Sequence, residues 1–194
     1  IPAADGMRIQ NAWGRIDTPG MPFNQCMLFP VELTLRTTDA GPRLFVLPVR
    51  EIEKLHGKKH AWQDQLIEPG KDLRGGLTGE LFDIQADLDP AEAAEVGFNI
   101  CGTAITYDAK KHELSCKNCV APLKPREGKV RLRVLVDRTS IEIFANDGRI
   151  AMCSCFLPDP LNRSLGLYAK GGTAKVKSLN IWELRSTWPN ETPK

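Results

Sequence analysis

Acidic side chains have the clearest potential for acid–base chemistry in this sequence. General acid–base catalysis needs side chains placed within hydrogen-bond reach of the reacting groups, and a pair of carboxyl groups can act as the acid and the base. Glu142 alternates with Ile141 and Ile143 in a strand-like pattern, which predicts that its side chain points to solvent. The available carboxylates show no convincing acid–base pair, and they are Asp83, Asp87, Glu142 and Glu183.

The cysteine spacings allow two interpretations. Cys116 and Cys119 have the C-x2-C spacing of a zinc knuckle, and Cys153 and Cys155 are candidates for a second pair. We favour a structural interpretation, in which Cys153 and Cys155 are small core residues on one face of a strand and Cys116 and Cys119 flank a turn. The sequence has six cysteines, and their disulfide state is left open because fifteen pairings exist.

Histidines and nucleophile motifs indicate no further centre. His56 and His60 are four residues apart, but Gly57 and the two lysines that follow it argue against a continuing helix. We therefore predict a solvated basic linker there. No G-x-S-x-G nucleophile elbow is present, and no local motif supports a Cys–His pair.

Aromatic and amide side chains near the N-terminus have the chemistry of a sugar contact. Trp13 and the segment 20–25 (GMPFNQ) could stack on a sugar ring and hydrogen-bond its hydroxyl groups. From residue types alone, the favoured alternative is that these side chains pack the end of a β unit.

Composition and charge exclude several classes of partner. The net charge is +2 and the basic residues are dispersed, which argues against nucleic acid or an anionic membrane as the main partner. No apolar run approaches the roughly 18–20 residues needed to cross a bilayer. The sequence begins with Ile1 rather than Met, so we expect a piece of a longer chain.

Short segments of alternating apolar and polar residues predict β-strands through most of the chain. In residues 129–136 (KVRLRVLV), apolar residues occupy every second position. Asp147 and Gly148 supply the positive φ angles of a tight turn, which predicts a hairpin over residues 140–155. Regularly spaced short strands with little helical pattern are typical of a β-sandwich.

One short helix is predicted ahead of these strands. Val49, Ile52 and Leu55 recur at three-residue spacing, with Pro48 at the start and Gly57 at the end. This break in pattern divides the chain into an N-terminal unit (1–47), a linker with a short helix (48–65), a β-sandwich domain (66–186) and a loose tail (187–194).

Several segments resemble a known family. Residues 8–14 (RIQNAWG), 20–25 (GMPFNQ) and 29–35 (FPVELTL) resemble the last propeller blade of glycoside hydrolase family 32, which contains levanases, inulinases, fructanases and invertases. Residues 43–52 (RLFVLPVREI) are similar to the exit from that propeller. Residues 135–148 (LVDRTSIEIFANDG) closely resemble the family's C-terminal β-sandwich. The resemblance covers nearly the whole chain in the family's order.

The resemblance implies an all-β fold. It consists of a C-terminal β-sandwich of the jelly-roll or concanavalin-like type, preceded by a remnant of the last blade of a five-bladed β-propeller. For the whole enzyme it implies retaining hydrolysis of β-fructosidic bonds in levan, inulin or sucrose, with no metal or organic cofactor. The family's catalytic carboxylates lie upstream, in W-M-N-D-P-N-G-type, R-D-P and E-C motifs that are absent here. Trp13 resembles a tryptophan at the active-site rim and is the one implied substrate contact.

The expected function is therefore that of an accessory β-sandwich that is inactive alone. Its expected partners are fructan or sucrose through the missing propeller and the propeller itself in the same chain, with a homo-oligomer left open. Nucleic acid and membrane are not expected, and the family implies a secreted or periplasmic location. A stand-alone carbohydrate-binding or structural module is the alternative. A sugar platform would need clustered aromatics, whereas Trp62, Trp182 and Trp188 are scattered.

Overall fold

A computed structural model describes residues 6–20, 22–72 and 77–187. No helix in these residues is long and apolar enough to cross a membrane. Besides a 3-10 helix at Arg50–Leu55, the regular elements are strands. In chain order they are β1 (Ile9–Gln10), β2 (Trp13–Gly14), β3 (Cys26–Met27), β4 (Val31–Thr38), β5 (Gly41–Pro48), β6 (His56–Ile67), β7 (Phe82–Asp89), β8 (Glu95–Ile100), β9 (Thr103–Asp108), β10 (Glu113–Cys116), β11 (Cys119–Pro122), β12 (Val130–Val136), β13 (Ser140–Ala145), β14 (Ile150–Cys155), β15 (Leu165–Lys170) and β16 (Ala174–Leu184).

Two antiparallel sheets form the C-terminal sandwich. One has six strands in the order β14-β13-β12-β7-β16-β6, and the other has five in the order β11-β10-β9-β8-β15. Alternate side chains of both sheets fill a shared apolar core, among them Ile84 and Val134 from the first sheet and Phe98 from the second. The alternation that predicted these strands thus places their apolar faces together, and the predicted all-β sandwich is confirmed.

The predicted hairpin joins β13 to β14. Asn146, Asp147 and Gly148 have φ angles of 45°, 61° and 84°, as the turn requires. Gly148 also lies against β5, since the N–H of Val46 donates a 2.9 Å hydrogen bond to the Gly148 carbonyl. A β-carbon at this position would be 2.3 Å from the Val46 carbonyl oxygen. The turn therefore needs glycine for both its conformation and its close contact.

Strands β1 to β5, called here the N-terminal strands, pack on the outer face of the six-stranded sheet. β1, β4 and β5 form a three-stranded antiparallel sheet, and β2 pairs with β3. A second apolar cluster fixes them and the 3-10 helix to the sandwich. It consists of Val49, Ile52, Leu135 and Phe144, with Ile9, Phe29, Val31, Val46 and Leu47 packed around it.

The region predicted as a linker is mostly a strand. The predicted helix is present as the 3-10 helix, but His56–Ile67 forms twelve-residue β6, which pairs with β16 at the edge of the six-stranded sheet. The predicted linker is therefore an edge strand, although most of its residues are exposed as predicted. Charged side chains suit an edge strand because they stay solvated and discourage pairing with another chain. Of the predicted tail, residues 188–194 lie outside the described residues.

Candidate functional site

Glu142 lies where the N-terminal strands cover the six-stranded sheet. Its side chain is buried, with 4% exposure. The backbone N–H of Phe29, which precedes β4, donates a 2.9 Å hydrogen bond to Oε1 of Glu142. Burial raises the pKa of Glu142 to about 7, although hydrogen bonds from Phe29 and Ser140 act in the opposite direction. The prediction that Glu142 points to solvent is wrong, because the outer face of this sheet is covered.

Three cysteines gather beside Glu142. Cys153 is its cross-strand neighbour, and Cys155 follows on the same face of β14. Cys26 approaches from β3, so that a β-carbon on Gly14 would lie 2.6 Å from the Cys26 sulfur and 3.0 Å from the Cys155 sulfur. Burial raises the pKa of Cys153 and of Cys155, which keeps both thiols protonated at neutral pH. They share a face as predicted. They pack where the N-terminal strands meet the six-stranded sheet, a contact called here the junction, rather than in the sandwich core.

Cys116 and Cys119, the other candidate pair, belong to a hairpin. Cys116 and Cys119 are cross-strand partners in β10 and β11 and flank the turn between them, as predicted. All six cysteines are free thiols. Within residues 6–20, 22–72 and 77–187, no group of three or more His, Cys, Asp or Glu side chains is arranged to hold a metal ion.

A buried ion cluster lies on the same outer face. Asp83 has 0% exposure and accepts two hydrogen bonds from Arg133, of 3.1 Å to Oδ1 and 2.7 Å to Oδ2. Nε2 of His56 is 2.9 Å from Oδ2 of Asp83. The His56 ring stacks on Trp182 with centroids 4.5 Å apart. The carboxylate oxygens of Asp83 are therefore held by structural partners rather than open to a substrate.

The two remaining acidic candidates are also engaged. Asp87 lies 3.7 Å from the Lys129 ammonium and 3.8 Å from Nε of Arg131. Glu183 Oε1 is 2.8 Å from Nε2 of His60. Each of the four candidate carboxylates thus has a partner in the fold, and the structure does not bring them together in one site.

Trp13 precedes Gly14 in β2, but its own side chain is exposed. It lies in β2 opposite Met27 of β3, and its side chain is 68% exposed. Phe23, in the other predicted sugar-contact segment, is also exposed, while Met21 lies outside the described residues. The exposed indole has a face available for stacking, and its contact with substrate stays a prediction.

The contacts between the N-terminal strands and the sandwich were not predicted from the sequence. The clue was the pair Cys153 and Cys155, two weakly polar residues facing the same way as Glu142, which is unusual for a solvated sheet face. The covering residue Phe29 lies 113 positions earlier in the chain, so no local pattern connects it with Glu142.

Comparison with known proteins decides the family. A family profile described as "Glycosyl hydrolases family 32 C terminal" matches residues 51–183. The chain belongs to glycosyl hydrolase family 32. The matched region starts within the 3-10 helix and includes the eleven strands of the two sandwich sheets except Leu184, the last residue of β16.

Similar proteins agree with this assignment. The chain is 33% identical to a levanase of Bacillus subtilis (strain 168) over 97% of its own length and 32% of the levanase. It is 40% identical to a raffinose invertase of Escherichia coli over 94% of its length and 40% of the invertase. An exo-inulinase from Aspergillus awamori has the same fold, with a TM-score of 0.81 and 20% identity over 93% of this chain and 41% of the inulinase. The chain thus spans less than half the length of these relatives.

Proposed function

We propose that this chain is the accessory C-terminal part of a family 32 β-fructosidase and that it holds the last propeller blade in place. The junction between the N-terminal strands and the sandwich carries this proposal. Phe29 donates its backbone N–H to buried Glu142, and Val46 donates to the turn at Gly148. The apolar cluster that contains Leu135 and Phe144 excludes water from the same contact. These contacts suit a domain that supports a neighbouring unit.

The proposal extends to the whole enzyme. A β-fructosidase of this family would cleave levan, inulin or sucrose with retention, using carboxylates upstream of this chain. Relatives named as a levanase and a raffinose invertase support this substrate class. Trp13, with its exposed indole, would stack on the sugar at the rim of the active site. A relative named as an extracellular exo-inulinase of Aspergillus ficuum, 24% identical, supports export.

The isolated chain should release no fructose from sucrose, levan or inulin. Its four candidate carboxylates are engaged by partners in the fold, and retaining hydrolysis needs two carboxyl groups about 5–5.5 Å apart across the bond. Fructose release is measured enzymatically over a long incubation, with an invertase as the positive control. Turnover that co-purifies with the chain and persists after repeated chromatography would contradict the proposed role.

A further inference from the structure

A polar groove lies on the outer face of the six-stranded sheet, beside the junction. It has a volume of about 290 Å³, just below the range of about 300–1,000 Å³ found for ligand pockets. Leu47 and Glu53 form one wall, and side chains of β12, β7 and β16 form the floor. The proposed supporting role makes no use of this groove.

The groove floor presents two parallel rows of polar side chains. Arg133, Gln85 and Asn180 are cross-strand neighbours in one row, and Arg131, Asp87 and Ser178 form the next. Adjacent strands are about 4.8 Å apart, so each row extends about 10 Å across three strands. That length suits a ligand with polar groups repeated along a chain.

The charges of the groove are compensated within the protein. Arg133 is bound to Asp83, and Arg131 donates a 3.1 Å hydrogen bond to Asp147 while lying 3.8 Å from Asp87. Both guanidinium groups already have carboxylate partners. A charged ligand would have to displace these carboxylates and would therefore gain little binding free energy. The groove therefore suits a neutral ligand.

Two amides on the groove floor have unused hydrogen-bonding capacity. Within the described part of the chain, the half-buried side chains of Gln85 and Asn180 make no hydrogen bond. Each amide offers two donors and one acceptor, which matches the paired donor and acceptor character of sugar hydroxyl groups. Leu47, which is half-buried, supplies apolar surface at one side, where the C–H groups of a sugar ring can pack.

We propose that this groove binds a short neutral oligosaccharide of β-fructosyl units, with Gln85 and Asn180 as its main hydrogen-bonding residues. The groove geometry argues for a neutral polyhydroxylated ligand, and the fructosyl identity rests on the proposed function. Trp182 and His56 stack on each other beside the ion cluster, whereas Gln85 and Asn180 line the open groove.

Nuclear magnetic resonance titration of the chain tests this proposal. Inulin-type and levan-type fructo-oligosaccharides of three to four units are added to the ¹⁵N-labelled chain, with maltotetraose as the comparison sugar. We expect saturable shifts of the Gln85 and Asn180 side-chain amides with a millimolar Kd, and weaker or no binding of maltotetraose. Absence of saturable shifts would overturn the proposal, and equal affinity for maltotetraose would overturn the fructosyl assignment.

A double variant separates this groove from non-specific binding. Gln85→Ala with Asn180→Ala should weaken binding about fivefold or more, because each amide loses a hydrogen bond to the ligand. The matched control is Asn99→Ala, an exposed amide on β8 of the opposite sheet, which should leave the Kd unchanged. Unchanged affinity in the folded double variant would overturn the proposal. Fructose release in the same samples would count against the proposed function alone, so the two failures are distinguishable.

Discussion

Replacing Asp83 with alanine should destabilise the chain by about 3–5 kcal/mol. Asp83 has 0% exposure and holds Arg133 by two hydrogen bonds and His56 by one. The variant leaves the guanidinium group of Arg133, whose side chain is only 17% exposed, without its buried counter-charge. Urea denaturation at pH 7, followed by tryptophan fluorescence, measures the change in the free energy of unfolding.

The matched control for this experiment is Asp87→Ala. Asp87 lies four residues along the same strand and on the same face, but its side chain is 28% exposed and its cations are 3.7 Å and 3.8 Å away. Its loss should cost less than about 1 kcal/mol, as for other solvated ion pairs. If the two variants were destabilised equally, burial of the Asp83–Arg133 pair would not be the cause. The double variant Asp83→Leu with Arg133→Met should recover much of the loss, because it removes both charges.

The stability of the chain should fall as the pH rises from about 5 to about 8, through ionisation of Glu142. The pKa of this carboxyl is raised from 4.5 to about 7 by burial, so between these values the folded chain binds more protons than the unfolded chain. The stabilisation is complete below pH 4.5 and is lost as the pH passes 7. A shift of this size corresponds to at most about 3 kcal/mol.

Glu142→Gln isolates this effect. The amide oxygen can still accept the hydrogen bond from the Phe29 N–H, while the group no longer ionises. The difference in unfolding free energy between the variant and the original chain should therefore shift by up to about 3 kcal/mol in favour of the variant between pH 5 and pH 8. All other titrating groups are common to both proteins and cancel in this difference. Exposed Glu92, changed to Gln, is the matched control for an acid-to-amide substitution outside this contact. A constant difference for Glu142→Gln across this range would refute the assignment.

The sandwich strands were predictable because their information is local. In β12, Val130, Leu132, Val134 and Val136 mark one buried face by themselves, and the turn at residues 146–148 identifies the hairpin from its sequence. The family resemblance, carried by a few contiguous segments, led to the family that the comparisons show.

The junction was not predictable because the residues that form it lie far apart in the sequence. Alternation says that Glu142 faces away from Ile141, but it does not say whether that other face meets water or protein. Covering strands come from residues about one hundred positions earlier. β6 was missed for a related reason, since its Gly57, Lys58 and Lys59 hide a pairing that only β16 can reveal.

The hydrogen bond from Val46 to the turn at Gly148 limits how this domain can be transplanted. A graft that began at Arg50 would keep all the strands of both sandwich sheets but lose the donor that binds the turn. It would also remove Val49 and the N-terminal strands from the second apolar cluster, which would expose apolar surface of Leu135 and Phe144 that Ile52 alone does not cover. The smallest exchangeable cassette therefore starts ahead of β1, and chimeras between related enzymes should place their crossover there.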